Sequence, residues 1–116
     1  MKKSLLLVVL LSSQCVMAAQ LSLVEFKQKT NLHYADLERK QADLNQALNQ
    51  KQHPKVLIEK ACVYSTGLKQ LKAFAQENNQ LDYAREEFVF ISQLDESFNQ
   101  SLQDLGISYE KGCLKK

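Results

Sequence analysis

The chain has 116 residues, of which 45% are hydrophobic and 24% charged, with three glycines and one proline. This length is enough for one domain and too short for two. So few turn-forming residues exclude collagen-like and Pro/Gly-rich disordered chains, and they disfavour an all-β sandwich or barrel. The formal net charge of the whole chain is +2.

The N-terminus has the pattern of an export signal. Lysines at 2–3 precede the apolar run 5–11, and small or modest side chains at 16–18 fit a signal-peptidase site after Ala18. The apolar run is shorter than the roughly 20 residues that a membrane-spanning helix needs. We therefore predict a cleaved signal peptide over 1–18 and export to the periplasm or the exterior. The rest of the chain, from residue 19 to the end, is then a single domain.

A cysteine inside the leader leaves a second interpretation open. Cys15 could carry lipid and tether the protein to a membrane. Lipoprotein signals carry leucine three residues before the cysteine and glycine or alanine just before it. Here those positions hold Ser12 and Gln14, so lipid anchoring is disfavoured.

Removal of the leader would also bring the formal net charge of the chain from +2 to zero. The leader contains two of the 15 lysines and arginines and none of the 13 acidic residues, so 15 − 2 = 13 basic groups remain against 13 acidic groups. A neutral chain offers no positive field to phosphate backbones. The balance therefore argues against nucleic acid as a partner.

The mature chain keeps two cysteines, Cys62 and Cys113, which are 51 residues apart. An exported chain with two cysteines most simply joins them in one disulfide. Loop entropy gives such a bond about 4 kcal/mol of stabilisation. A metal or redox site is disfavoured because there is no Cys-x-x-Cys motif and neither His33 nor His53 has ligand spacing.

A first helix is predicted from about Ser22 to Gln50. Ser22 and Glu25 form a capping box at its start. Gln41 interrupts the apolar stripe and Asn45 lies at its edge, while His33 on the other edge is expected to be partly buried and hydrogen-bonded. The stripe itself consists of Leu23, Phe26, Thr30, Tyr34, Leu37, Leu44 and Leu48.

A second helix is predicted from Pro54, at its first position, to about Gln76. Gly67 near its apolar face predicts either a close approach of two helices or a bend. Cys62 falls on the flank, where it could clamp a segment laid across the outside of the bundle. The apolar face consists of Val56, Leu57, Ala61, Tyr64, Leu68, Leu71, Phe74 and Ala75.

A third helix is predicted from about Gln80 to Leu105, with Asn78 or Asn79 as its N-cap. Its apolar sector covers about half the circumference, which predicts contact with both other helices and hence a central position. Gly106 should adopt the left-handed conformation that ends this helix. The periodic residues are Leu81, Ala84, Phe88, Ile91, Leu94, Phe98, Leu102 and Leu105, widened by Tyr83 and Phe90.

The last segment, 108–116, is too short for another helix with a core face. We expect it to turn back and to be held against the second helix through Cys113 and Cys62. Short connections make neighbouring helices antiparallel. The predicted fold is therefore an all-α, up-down-up three-helix bundle with a disulfide-anchored C-terminal tail.

The search for catalytic chemistry finds no catalytic, cofactor-binding or metal-ligating residue. No nucleophile motif with a supporting histidine, phosphate-binding glycine loop or haem motif is present. The carboxylate pairs at 86–87 and 95–96 point about 100° apart on a helix, so we interpret them as solvated. The chain is predicted not to be an enzyme.

Two functions remain after these exclusions. The leading prediction is a small exported interaction module that docks a protein partner through its helix faces, with an immunity, inhibitor or accessory protein as the sharpest form. The alternative is a bundle that binds a small ligand or cofactor between helices. In that case His33, Tyr34 and Tyr64 would supply the polar groups.

Overall fold

The structure, a computed structural model, describes residues 21–114. The predicted leader at 1–18 and Cys15 lie outside this range. The predicted all-helical architecture is confirmed: three long antiparallel helices run up, down and up, followed by one helical turn. No helix among the described residues is long and apolar enough to cross a membrane. The helices are α1 (Leu23–Asn49), α2 (Pro54–Glu77), α3 (Asp82–Asp104) and α4 (Tyr109–Gly112).

The predicted capping of α1 is confirmed, and the predicted N-cap of α3, Asn78 or Asn79, is wrong. At α1, the Ser22 hydroxyl accepts a hydrogen bond from the Glu25 amide, and the Glu25 carboxylate accepts one from the Ser22 amide. At α3, the N-cap is Leu81, which makes no side-chain capping bond. Asn78 is instead fully buried, where its side chain accepts from the Leu21 amide at 3.0 Å and donates to the Phe74 carbonyl at 3.0 Å. It therefore holds the start of α1 against the turn between α2 and α3.

The central helix is α2, which corrects the prediction that the third helix is central. α2 packs closely against both neighbours, whereas the backbones of α1 and α3 stay farther apart. The close approach predicted at Gly67 is confirmed, since a Cβ there would lie 2.8 Å from Leu37 Cδ2. Glycine thus lets α1 lie directly on α2. As a consequence, α1 and α2 cover only part of the broad apolar face of α3, and Phe90 on this face remains about half exposed.

The half of the bundle in which α1 begins, called the closed half below, is filled by aromatic rings. Phe26 is fully buried, stacks on Phe74 with ring centroids 5.1 Å apart, and meets Tyr83 edge to face at 6.0 Å. At the inner end of this half, the Tyr34 hydroxyl donates to the Glu87 carboxylate at 2.6 Å. These side chains bridge the distance between the α1 and α3 backbones.

The predicted end of α3 and the predicted disulfide are both confirmed. Gly106 has φ +80°, the left-handed conformation, and the Ile107 amide donates to the Leu102 carbonyl at 2.8 Å. Cys62 and Cys113 are bonded, with their Cα atoms 5.3 Å apart. The tail is therefore held against the outer side of α2, as the sequence predicted.

Candidate functional site

An uncharged trough lies between α1 and α3 in the half of the bundle where α1 ends, called the open half below. α1 and α3 form its walls and α2 forms its floor. Its volume is about 360 Å³. The lining residues, which define the trough, are Gln41, Leu44, Asn45 and Leu48 of α1, Tyr64 of α2, and Leu94, Ser97, Phe98 and Ser101 of α3.

The trough continues into a second cavity at the end of the bundle, called the end pocket. The two cavities share Leu44, Leu48, Phe98 and Ser101, and the end pocket has a volume of about 410 Å³. Its other lining residues are Pro54, Leu57, Ile58, Ala61, Leu102, Leu105 and Ile107. The two cavities together form a continuous apolar surface between the three helices.

The trough is open because its wall positions carry short or polar side chains. Where the closed half has phenylalanine and tyrosine, the walls here have Asn45, Ser97 and Ser101. None of these side chains reaches across the separation of the α1 and α3 backbones. As a result Leu48 is 52% and Leu94 37% exposed, although periodicity predicted both as core residues.

Two aromatic rings line the bottom of the trough. The Tyr64 ring meets the Phe98 ring edge to face, with centroids 4.8 Å apart. Burial of Tyr64 raises the pKa of its phenol above the ordinary value, so the phenol stays neutral at physiological pH. None of the described residues that line the trough or the end pocket is charged. This surface therefore suits an uncharged, largely apolar ligand or partner.

A polar cluster on the opposite side of α3 corrects the prediction that Asp95 is solvated. Asp95 is buried between α2 and α3, and its carboxylate accepts from Lys69 Nζ at 2.9 Å. Lys69 also lies over the Tyr109 ring, 4.1 Å from the centroid, and the Tyr109 hydroxyl is 2.7 Å from the Thr66 hydroxyl. These contacts join α2, α3 and the tail, so the cluster braces the fold.

The side chains predicted for a small-ligand site do not converge. Tyr64 lines the trough, but Tyr34 is engaged with Glu87. His33 is partly buried, as predicted, but its ring makes no hydrogen bond to the described residues, so that part of the prediction is wrong. It lies in the closed half with its ring centroid 5.0 Å from that of Phe74. Its pKa is lowered, mainly because burial disfavours the charged imidazolium.

The helical periodicity of apolar residues does not by itself predict the trough. It identifies the apolar face of each helix, but it does not show which faces pack against each other. A signal is nevertheless present in the sequence, since Gln41 and Asn45 break the apolar stripe of α1 at the level where Ser97 and Ser101 replace larger residues on α3. Two breaks facing each other on neighbouring helices indicate a gap in the core, but only when the relative position of the helices is known.

Comparison with known proteins adds no family to these observations. No protein-family model, curated protein or solved structure matches this chain. Within residues 21–114, no group of three or more His, Cys, Asp or Glu side chains could hold a metal ion. The candidate site is therefore the uncharged trough and its continuation into the end pocket.

Proposed function

We propose that this protein is an exported, non-enzymatic binding module that docks a protein partner in the trough. The observation that carries the proposal is a continuous uncharged cavity, walled by two helices, with half-exposed leucines along it. Contiguous exposed apolar surface of this kind marks interaction sites on folded proteins. The identity of the bound partner would decide whether the module acts as an immunity protein, an inhibitor or an accessory protein.

The geometry favours a helical partner segment. α1 and α3 form the walls and α2 forms the floor, so a fourth helix laid along the trough would complete local four-helix packing by ridges into grooves. Its contact face would be apolar and uncharged, because a buried charge opposite the lining would have no counter-charge. The partner would be held chiefly by Leu48, Leu94 and the Phe98 ring.

A matched pair of variants tests the docking surface. Leu94→Glu places a charge in the trough, whereas Leu32→Glu places the same charge on an exposed position, 71% accessible, that lines neither cavity. Each protein is immobilised and exposed to an envelope extract of the source organism. The proposal predicts a protein retained by wild type and Leu32→Glu and lost by Leu94→Glu, with the same ranking when that protein is purified. Equal retention by all three would contradict it.

Export is tested by intact mass. We expect protein from the native envelope fraction, measured without reductant, to begin at residue 19 and to lack two hydrogens because Cys62 and Cys113 are joined. Added lipid mass on Cys15 would instead support membrane anchoring.

The end pocket supports a second candidate, a small uncharged apolar ligand. Its volume of about 410 Å³ falls within the roughly 300–1,000 Å³ of small-molecule sites. N-phenyl-1-naphthylamine, a neutral apolar probe, tests it through fluorescence on binding. Ser101→Leu, which fills the cavity, should abolish the fluorescence gain. The control Gln100→Leu, which lines neither cavity, should leave it unchanged.

A further inference from the structure

The side of α3 next to the trough carries a short uncharged stripe. Phe90, Leu94, Ser97 and Ser101 follow one another at steps of four, three and four residues, so they share one face of the helix. This alternation of steps is typical of a seam between two packed helices. Phe90 is 51% exposed and Leu94 37%. The stripe is thus a helix-packing face that α1 and α2 leave half uncovered.

The stripe is self-complementary in size. Its first half carries large side chains and its second half carries serines that line the trough. If the α3 helices of two copies lie antiparallel about a two-fold axis between residues 95 and 96, Phe90 of each copy stands level with Ser101 of the other. In the same register Leu94 stands level with Ser97 of the other copy. Each large side chain then faces a small one.

The cavity beside the serines suits an aromatic ring. It offers about 360 Å³ with an uncharged lining, and Tyr64 and Phe98 provide rings for the entering Phe90 to contact. The Ser101 hydroxyl already donates to the Ser97 carbonyl at 3.1 Å. Entry of Phe90 would therefore leave that hydroxyl paired, avoiding the cost of an unsatisfied buried polar group.

We propose that the occupant of the trough is a second copy of this chain, in a two-fold dimer with antiparallel α3 helices. The inference rests on the proposed function, because it names the partner of the same trough. The stripe itself carries no charge, and the nearest acidic residues on this side, Glu86, Glu87 and Asp104, lie beyond its two ends. Glu87 accepts a hydrogen bond from Tyr34 of its own copy. In this register it stands level with Asp104 of the other copy, at the rim of the interface, where solvent and salt screen the like charges. Acidic and basic residues also balance in the mature chain, so two copies approach without long-range repulsion. Two-fold dimers are the commonest closed assembly.

The oligomeric state and one pair of variants test the dimer. Light scattering and sedimentation of the disulfide-intact protein at micromolar concentration should give the dimer mass. Phe90→Glu should raise the dimer dissociation constant at least about 30-fold, as for an aromatic residue that fills a pocket of its partner. Val89→Glu is the control: Val89 is 57% exposed and points about 100° away, so this variant should remain dimeric. Both variants should stay folded, because both side chains are already about half exposed. Circular dichroism checks this.

Disulfide trapping tests the register. Leu94→Cys protein mixed with Ser97→Cys protein should cross-link under mild oxidation, because these positions face each other between copies. Leu94→Cys mixed with Leu32→Cys should not, because Leu32 lies away from the trough. Peptide mapping confirms that the Cys62–Cys113 bond is intact in each product. Failure of the 94–97 pair to cross-link in a protein that does dimerise would overturn the antiparallel register.

The failures of the two proposals are distinguishable. A wild-type protein that stays monomeric at every concentration overturns the dimer. If its trough nevertheless retains another protein that Leu94→Glu loses, the proposed function stands with a different partner. A monomer that retains nothing overturns both. A dimer that Val89→Glu disrupts and Phe90→Glu does not would also overturn the inference.

Discussion

The two halves of the bundle use the same three helices and reach different degrees of closure. In the closed half, Phe26, Phe74 and Tyr83 fill the space between α1 and α3. In the open half, the corresponding walls carry leucine, serine, asparagine and glutamine, and a cavity remains. The backbones of α1 and α3 stay apart, so the size of the side chains between them decides whether the core closes. The closed half therefore forms a filled core, whereas the open half leaves apolar surface exposed.

The stabilising contacts at the two ends also differ in kind. The closed half is held from within, by the buried Asn78 side chain that accepts from the Leu21 amide. The open half is held from outside, by the tail that Cys113 fixes to Cys62 on α2. This external brace leaves the trough between α1 and α3 uncovered. The proposed binding surface is therefore compatible with a stable fold in a small domain.

The sharpest test of the comparison removes one apolar side chain from each half. Phe26→Ala empties a fully buried site and should lower the free energy of unfolding by about 3–5 kcal/mol. Leu48→Ala removes a half-exposed side chain and should cost less than about 1 kcal/mol in the monomer. Urea denaturation at low protein concentration measures both. Equal losses would show that the open half contributes to stability as a closed core does.

Removal of the external brace should have the next largest effect. Replacing both Cys62 and Cys113 by serine should lower the free energy of unfolding by about 2–4 kcal/mol, because the unfolded chain regains the entropy of the open loop. Reduction of the wild-type protein is the matched control and should produce the same loss. A double variant as stable as wild type would mean that the Tyr109 and Lys69 contacts alone hold the tail.

The close contact between α1 and α2 gives a smaller effect. Gly67→Ala places a methyl group 2.8 Å from Leu37 Cδ2, and overpacking of this kind costs about 1–3 kcal/mol. The double variant Gly67→Ala, Leu37→Ala should lose less free energy than the two single losses combined, because the clash is relieved. Additive losses in denaturation would instead place the cost of the glycine substitution elsewhere than in this contact.

Local signals in the sequence predicted most of the fold. The capping box at Ser22 and Glu25, the helix end at Gly106 and the Cys62–Cys113 bond each depend on a few residues and on the compartment chemistry of cysteine. Glycine weakens a helix, so Gly67 on an apolar face indicated either a close helix contact or a bend. The structure shows the close contact. These features need no knowledge of how the helices are placed relative to one another.

The features that were missed depend on that placement. Periodicity showed that α3 is broadly apolar but not that α2 lies between its neighbours, so the period wrongly placed exposed Phe90 in the core. Asp95 looked like a surface carboxylate because its partner, Lys69, is on another helix. The trough likewise requires gaps on α1 and α3 to face each other. Long-range pairing of this kind cannot be identified from the pattern of either helix alone.

The smallest expected effect is a pH dependence of stability, which should arise in the closed half and not in the open half. None of the described residues that line the trough or the end pocket titrates near neutral pH, whereas the closed half contains His33, packed on Phe74. Burial is the main cause that lowers the pKa of His33. Lys40 and Lys29 add to the lowering, and Asp36 opposes it.

The lowered pKa means that His33 binds fewer protons in the folded protein than in the unfolded chain. The contribution of the neutral His33 ring to the free energy of unfolding is therefore complete above about pH 6.5, and it decreases as the pH falls through and below that value. Thermal unfolding of wild type and His33→Gln between about pH 7.5 and pH 5 should therefore show the stability advantage of the wild type shrinking toward acid. Asn31→Gln is the control, since Asn31 is exposed and carries no titratable group. An advantage of the wild type that is constant across this range would mean that the His33 environment does not disfavour the charged ring.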